Sequence, residues 1–188
     1  MIKKVLGTAL LFYLSVAMTG CSSPVANKDF SADFISRSGS TSFKGKMFFS
    51  GDKFRMENPQ AVTISRMDKK AVWVLMPSQK MYMEQPMTEE HTKGVAQNME
   101  GEIKREKIGS ETVNGIKADK YRVMYKTDAS SGSIFQWIAS GLSMPVKTSS
   151  VDGKWSMELK NVKFGSQPDS LFEIPAGYKK FSYNIPSF

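Results

Sequence analysis

Apolar residues recur at every second position through most of this chain, a spacing that commits it to strands rather than helices. Phe30, Ala32 and Phe34 fall on one face of an extended segment, with Ser31, Asp33 and Ile35 on the other. Phe43, Gly45, Met47 and Phe49 alternate with Lys44, Lys46, Phe48 and Ser50. Ser50-Gly51-Asp52 turns the chain, after which Phe54 and Met56 alternate with Lys53, Arg55 and Glu57. Asn58-Pro59 turns it again, and Val62 and Ile64 lead a segment ending at Asp68-Lys69. Further on, Tyr121, Val123 and Tyr125 alternate with Lys120, Arg122 and Lys126. Trp155, Met157 and Leu159 alternate with Lys154, Ser156, Glu158 and Lys160. The phase then flips at Asn161, because Val162 and Phe164 form the next apolar pair; a β-bulge is expected there.

Ala71–Met76 is continuously apolar, which predicts a strand covered on both faces and ended by Pro77. Met81 and Met83 follow on one face of the next strand. Asn114-Gly115 predicts a type I′ hairpin, and Asp152-Gly153 a second hairpin turn. Ser130–Gly132 reads as a loop before a strand at Ile134–Ala139, and Pro145-Val146-Lys147 begins another. Pro168–Pro175 reads as a turn-rich closing segment. Between Pro86 and Asn98 the alternation stops; Thr88 followed by Glu89 and Glu90 predicts a short helix or loop across one mouth of the sheet. Nine or ten short strands with hairpin spacing and little helix predict a mainly β (α+β) fold: an antiparallel sheet, sandwich or barrel.

The first twenty residues have another character. Lys3 and Lys4 precede an uncharged apolar run from Val5 to Met18, and small residues lead to Cys21. This is the layout of an export signal, and the run is shorter than the roughly 20 residues a spanning helix needs. Cys21 is the only cysteine, so no internal disulfide forms. Met18-Thr19-Gly20-Cys21 resembles the bacterial lipobox, in which the cysteine becomes acylated. The expected organisation is a signal at 1–20, a lipidated tether at 21–28 and one domain at 29–188. Ser22 after the cysteine, by resemblance to enterobacterial lipoproteins, points to the periplasmic face of the outer membrane rather than the inner. The formal net charge of +8 suits an anionic membrane surface better than nucleic acid in that compartment.

Catalytic chemistry finds little material here. His91 is the only histidine, and no serine sits in a nucleophile-elbow pattern. The chain therefore reads as non-enzymatic, with no resident cofactor and no metal centre. Its 13 methionines are more telling. They suit a core, a surface that adapts to varied acyl chains, or Cu(I) binding through a pair such as Met81-x-Met83.

Ser50-Gly51-Asp52-Lys53-Phe54-Arg55-Met56-Glu57, Val72-Trp73-Val74-Leu75-Met76-Pro77 and Lys80-Met81-Tyr82 together resemble the LolA-like bacterial lipoproteins of the LolA/LolB superfamily. So do Gly109–Gly115 with Lys120-Tyr121, Pro145-Val146-Lys147 and the ending Leu171–Tyr178; the similarity spans residues 29–180. The resemblance implies an antiparallel sheet curled into a half-open barrel, with a short helical lid over an apolar concavity. In the carrier members that concavity takes the acyl chains of lipoproteins. On this basis the period-two pattern marks Phe43, Met47, Phe49, Phe54, Met56, Val72, Val74, Met81 and Met83 as cavity lining. The expected partners are a lipid or acyl chain and the membrane that holds Cys21. An envelope protein is the alternative partner, the fold then acting as an interaction or sensor module.

Overall fold

The computed structural model describes residues 28–88 and 99–181. It contains twelve strands: β1 (Phe30–Ser38), β2 (Thr41–Ser50), β3 (Lys53–Glu57), β4 (Val62–Arg66), β5 (Ala71–Met76), β6 (Met81–Pro86), β7 (Glu102–Val113), β8 (Ile116–Lys126), β9 (Ser131–Ile138), β10 (Lys147–Ser150), β11 (Trp155–Phe164) and β12 (Lys179–Lys180). They form one sheet in the order β12-β6-β5-β4-β3-β2-β1-β11-β10-β9-β8-β7. Every pairing is antiparallel except β12 on β6. The mainly β fold expected from the spacing is thus the fold observed, as an unclosed sheet. Helix among the described residues is confined to two 3₁₀ turns, Pro77–Gln79 and Asp169–Phe172. Residues 89–98, where most of the expected lid falls, lie outside the described residues.

Two local expectations hold in detail. Asn114 and Gly115 both have positive φ, 49° and 85°, as a type I′ turn requires. At the phase flip, Ser31 pairs with Lys163 but Asp33 with Lys160, so two residues oppose Ala32. Asn161 takes φ 52° within this bulge, and its side-chain amide donates to Asp33 Oδ2 at 2.7 Å. One expectation shifts. Ser131 and Gly132 belong to β9, and the turn is closed earlier, by Thr127 N–H donating to Ser130 O at 2.8 Å.

The sheet must curl. β6 lies next to one edge and β7 forms the other, ten strand spacings away. At ~4.8 Å per spacing a flat sheet would separate them by about 48 Å. Residues 87–101 join them, and that length reaches ~50 Å only if fully extended. Met99–Glu102 is instead a turn, with Glu102 N–H donating to Met99 O at 3.2 Å. Curling brings the two edges within reach of a connection of that length.

Alternation sorts the core onto two faces. Met47, Phe49 and Phe54 join Phe30, Phe34 and Leu159 in one cluster, which the loop residues Leu142 and Met144 extend. Val62, Ile64, Trp73 and Leu75 form a second cluster on the opposite face of β4 and β5. This second face is covered by the closing segment, which does more than turn the chain. Phe172 is fully buried there, with Leu171, Ile174 and Tyr178 packed around it. β12 then adds to β6, Lys179 N–H donating to Lys80 O and Phe181 N–H to Tyr82 O.

Charged groups fasten this strap. Arg66, 5% exposed, donates to Phe172 O at 3.0 Å and to Asp68 Oδ2 at 2.5 Å, and pairs with Glu173. Arg55 Nη1 donates to Leu171 O at 2.7 Å. The hydrogen bond from Arg66 holds the Asp68 carboxyl down at about 2 and Glu173 below its usual range. A carboxylate depressed in the folded state contributes stability above its unfolded value, near 3.8 for Asp68, and loses it as pH falls through the folded value. Acidification from about pH 4 to about pH 2 should therefore lower the urea midpoint of the wild type more than that of Arg66→Met. Equal slopes for the two proteins over that window would show that the Arg66 cluster does not set the acid response.

Candidate functional site

Cross-strand register shows which residues share a face. Met47 pairs with Met56, Met56 with Thr63, Thr63 with Val74 and Val74 with Met83. The next row runs Phe49, Phe54, Ser65, Val72 and Gln85. Met76 pairs with Met81, and Phe43 lies four residues before Met47 on β2. All nine residues expected to line a cavity (Phe43, Met47, Phe49, Phe54, Met56, Val72, Val74, Met81 and Met83) thus fall on one face of β2, β3, β5 and β6. Two-residue periodicity makes this follow from the hairpin turns, which keep the register from strand to strand.

The register also adds members the sequence reading did not name. Met76 was hidden in the continuous apolar run, where alternation is invisible. Thr63 and Ser65 from β4 place hydroxyls in the middle of the face. Across β2–β6 this face carries no charged side chain and holds five methionines: Met47, Met56, Met76, Met81 and Met83. The opposite face of the same strands carries Lys53, Arg55, Glu57, Arg66 and Glu84.

Burial is graded along the uncharged face. Met47, Phe49, Phe54 and Val72 are buried, whereas Met56, Val74, Met76, Met81 and Met83 are half-buried. Phe43 is 48% exposed, its ring edge-on to Phe34 with centroids 5.8 Å apart. The nine are therefore of two kinds: Met47, Phe49 and Phe54 help fill the first core cluster and Val72 is buried beside them on the same face, while the rest offer partly open apolar surface. Two clefts formed by described residues lie elsewhere. One, of about 360 Å³, is bounded by Asp33, Ile35, Lys44, Lys46 and Lys160. The other, of about 500 Å³, runs beside the β7–β8 hairpin along Ser110, Glu111, Lys117 and Asp119.

The carboxylates of that second cleft are engaged. Glu111 accepts from Lys120 Nζ at 2.8 Å and Trp137 Nε1 at 3.0 Å, which hold it below the ordinary carboxylate range. Asp119 is held down by Lys107 and then by Ser110, whose hydroxyl donates at 2.7 Å. A proton-transfer group needs a pKa near the working pH, and these are moved the other way. Among the described residues, no three His, Cys, Asp or Glu side chains gather as a metal site. Cys21 and His91 lie outside the described residues. Among the described residues, no helix is long and apolar enough to cross a membrane.

Comparison with known proteins gives a family and a fold. A family model for a domain of unknown function, DUF4412, matches residues 35–143. No curated protein matches the chain. The crystal structure of MucB is similar with a TM-score of 0.52 at 10% identity, covering 81% of this chain and 59% of that one. MucB in complex with MucA, from Pseudomonas aeruginosa, gives 0.50 at 11% identity, with 77% and 55% covered. The lipoprotein LppX of Mycobacterium tuberculosis gives 0.41 at 17% identity, with 69% and 83% covered. The chain thus spans somewhat over half the length of the MucB structures it matches. At these identities the likeness is one of fold, and at that level the LolA-like resemblance holds.

Proposed function

The chain belongs to the DUF4412 family, and from that premise we propose that it is a periplasm-facing lipoprotein that holds a lipid or acyl chain against the uncharged face of its curled sheet. The observation that carries this reading is the absence of charge across five neighbouring strands, combined with five methionines on the same face. Hydrocarbon placed there meets no ionised group to desolvate. Unbranched thioether side chains re-pack around chains of different length and unsaturation at little cost. Half-burial of Met56, Val74, Met81 and Met83 leaves contact surface that a ligand can cover. Acylation at Cys21 would keep this face at the periplasmic surface of the outer membrane, and lipoprotein or lipid trafficking is the process it would serve.

Met83→Lys tests the reading, because a half-buried strand position tolerates a lysine whose stem snorkels. The variant should keep its circular dichroism and bind a fluorescent fatty acid roughly tenfold more weakly, through the desolvation of the new charge. Wild-type protein that neither carries lipid in native mass spectrometry nor takes up the probe would overturn the proposal. A second reading is an envelope interaction module, favoured by the fold shared with MucB, which is seen bound to MucA. In-cell crosslinking that returns one reproducible protein and no lipid would select it.

A further inference from the structure

The face opposite the methionines is divided in two. Over β3–β6 it packs Val62, Ile64, Trp73 and Leu75 under the closing strap, which Arg55 and Arg66 fasten. Across β2, β1 and β11 it is mainly basic, with Phe48 at the border of the strap's cluster. There the rows read Lys46–Asp33–Lys160, Lys44–Ile35–Glu158 and Phe48–Ser31–Lys163. β10 continues the middle row with Lys147.

We propose that this basic half-face docks on the anionic phospholipid headgroups of the membrane to which the chain is tethered. The inference goes beyond the lipid-holding face: it concerns the other side of the sheet and needs nothing bound among the methionines. Two observations carry it. First, positive charge is in excess. Among the described residues Lys44, Lys46, Lys160 and Lys163 make no close ion pair, and Asp33, set between Lys46 and Lys160, accepts a hydrogen bond from Asn161, while Glu158 is taken by Arg37. Second, the shape suits a headgroup. Lys44, Lys46 and Lys160 rim the cleft of about 360 Å³, whose floor includes Ile35. Phosphate would sit among the ammonium groups while its glycerol lies on the apolar floor.

Surface lysines attract anionic lipid within about one Debye length, so contact is salt-sensitive. The test is lysine acetylation of the purified full chain, read site by site by mass spectrometry. It is done with vesicles of phosphatidylcholine alone and with vesicles that also contain phosphatidylglycerol. Phosphatidylglycerol should slow acetylation of Lys44, Lys46, Lys160 and Lys163 roughly fivefold, leave Lys104 and Lys154 unchanged, and lose its effect in high salt. In the triple variant Lys44→Gln, Lys46→Gln, Lys160→Gln, all exposed or half-exposed positions, protection of Lys163 should disappear. Equal acetylation in both vesicle types overturns the proposal, as does protection centred on Lys104. Equal protection by inorganic phosphate without vesicles overturns the membrane assignment and leaves an ion site. Fatty-acid uptake by the methionine face reads out separately, so failure of one proposal is distinguishable from failure of the other.

Discussion

Replacing Phe172 with alanine is expected to lower stability by about 3–5 kcal/mol, the range for truncating a fully buried aromatic side chain. Phe172 is 0% exposed and sits against Val62, Ile64, Trp73 and Leu75. It comes from a 3₁₀ turn of four residues with no side-chain cap of its own, so packing is what holds the turn in place. The cavity cannot be refilled from the sheet, because β4 and β5 are fixed by their ladder. Denaturant unfolding should show the loss, and hydrogen exchange should show Lys179 and Phe181 amides exchanging faster as β12 leaves β6. Phe172→Leu, which keeps most of the volume, should cost much less. A loss below about 1 kcal/mol for the alanine variant would show that the strap is an ornament on the sheet rather than half of its core.

The second large effect is expected at Gly45. A Cβ there would lie 2.0 Å from Glu57 O and 2.4 Å from the Phe34 ring. Both neighbours are held: Glu57 pairs with Lys46 on the adjoining strand, and Phe34 is 1% exposed in the first cluster. Gly45→Ala must therefore part β2 from β3 or displace the Phe34 ring, at a cost of about 3 kcal/mol or more. Adding Phe34→Leu should recover only part of that, since the carbonyl remains. Gly51→Ala is the control. Its φ is +59° with nothing within 4 Å of a Cβ, so only the conformational cost of about 1 kcal/mol applies. Thermal unfolding of the two variants should separate crowding from backbone preference. Similar losses at both positions would refute the crowding account.

Much of this architecture is legible from local chemistry. Alternation and turn residues are short-range signals, and each hairpin passes its register to the next. That is why nine residues chosen by parity land on one face, and why Asn161 could be read as a bulge from a phase flip alone. What could not be read is long-range. Nothing near Phe172 says that it crosses to Ile64 and Trp73; Leu-Phe-Glu-Ile-Pro has no period, and burial of Phe172 depends on strands about a hundred residues earlier. β12 is only two residues long and parallel, too short to leave a pattern. Met76 was masked for a different reason: a strand covered on both faces shows no alternation, so its parity emerges only from pairing with Met81. The basic half-face likewise needed the β1–β11 pairing, which sets Lys160 and Lys163 beside Asp33 and Ser31.

That central pairing has a consequence for how the polypeptide is made. β1 and β11 are neighbours in the middle of the sheet but are separated by most of the sequence. A nascent chain can zip β2–β6 early, yet the seam between the two meanders waits for residue 164, and the oily patch around Trp73 waits for Phe172. Contacts of such separation form late and slowly. A polypeptide cut short before residue 164 would therefore lack both the seam and the cover, and should remain without a closed core.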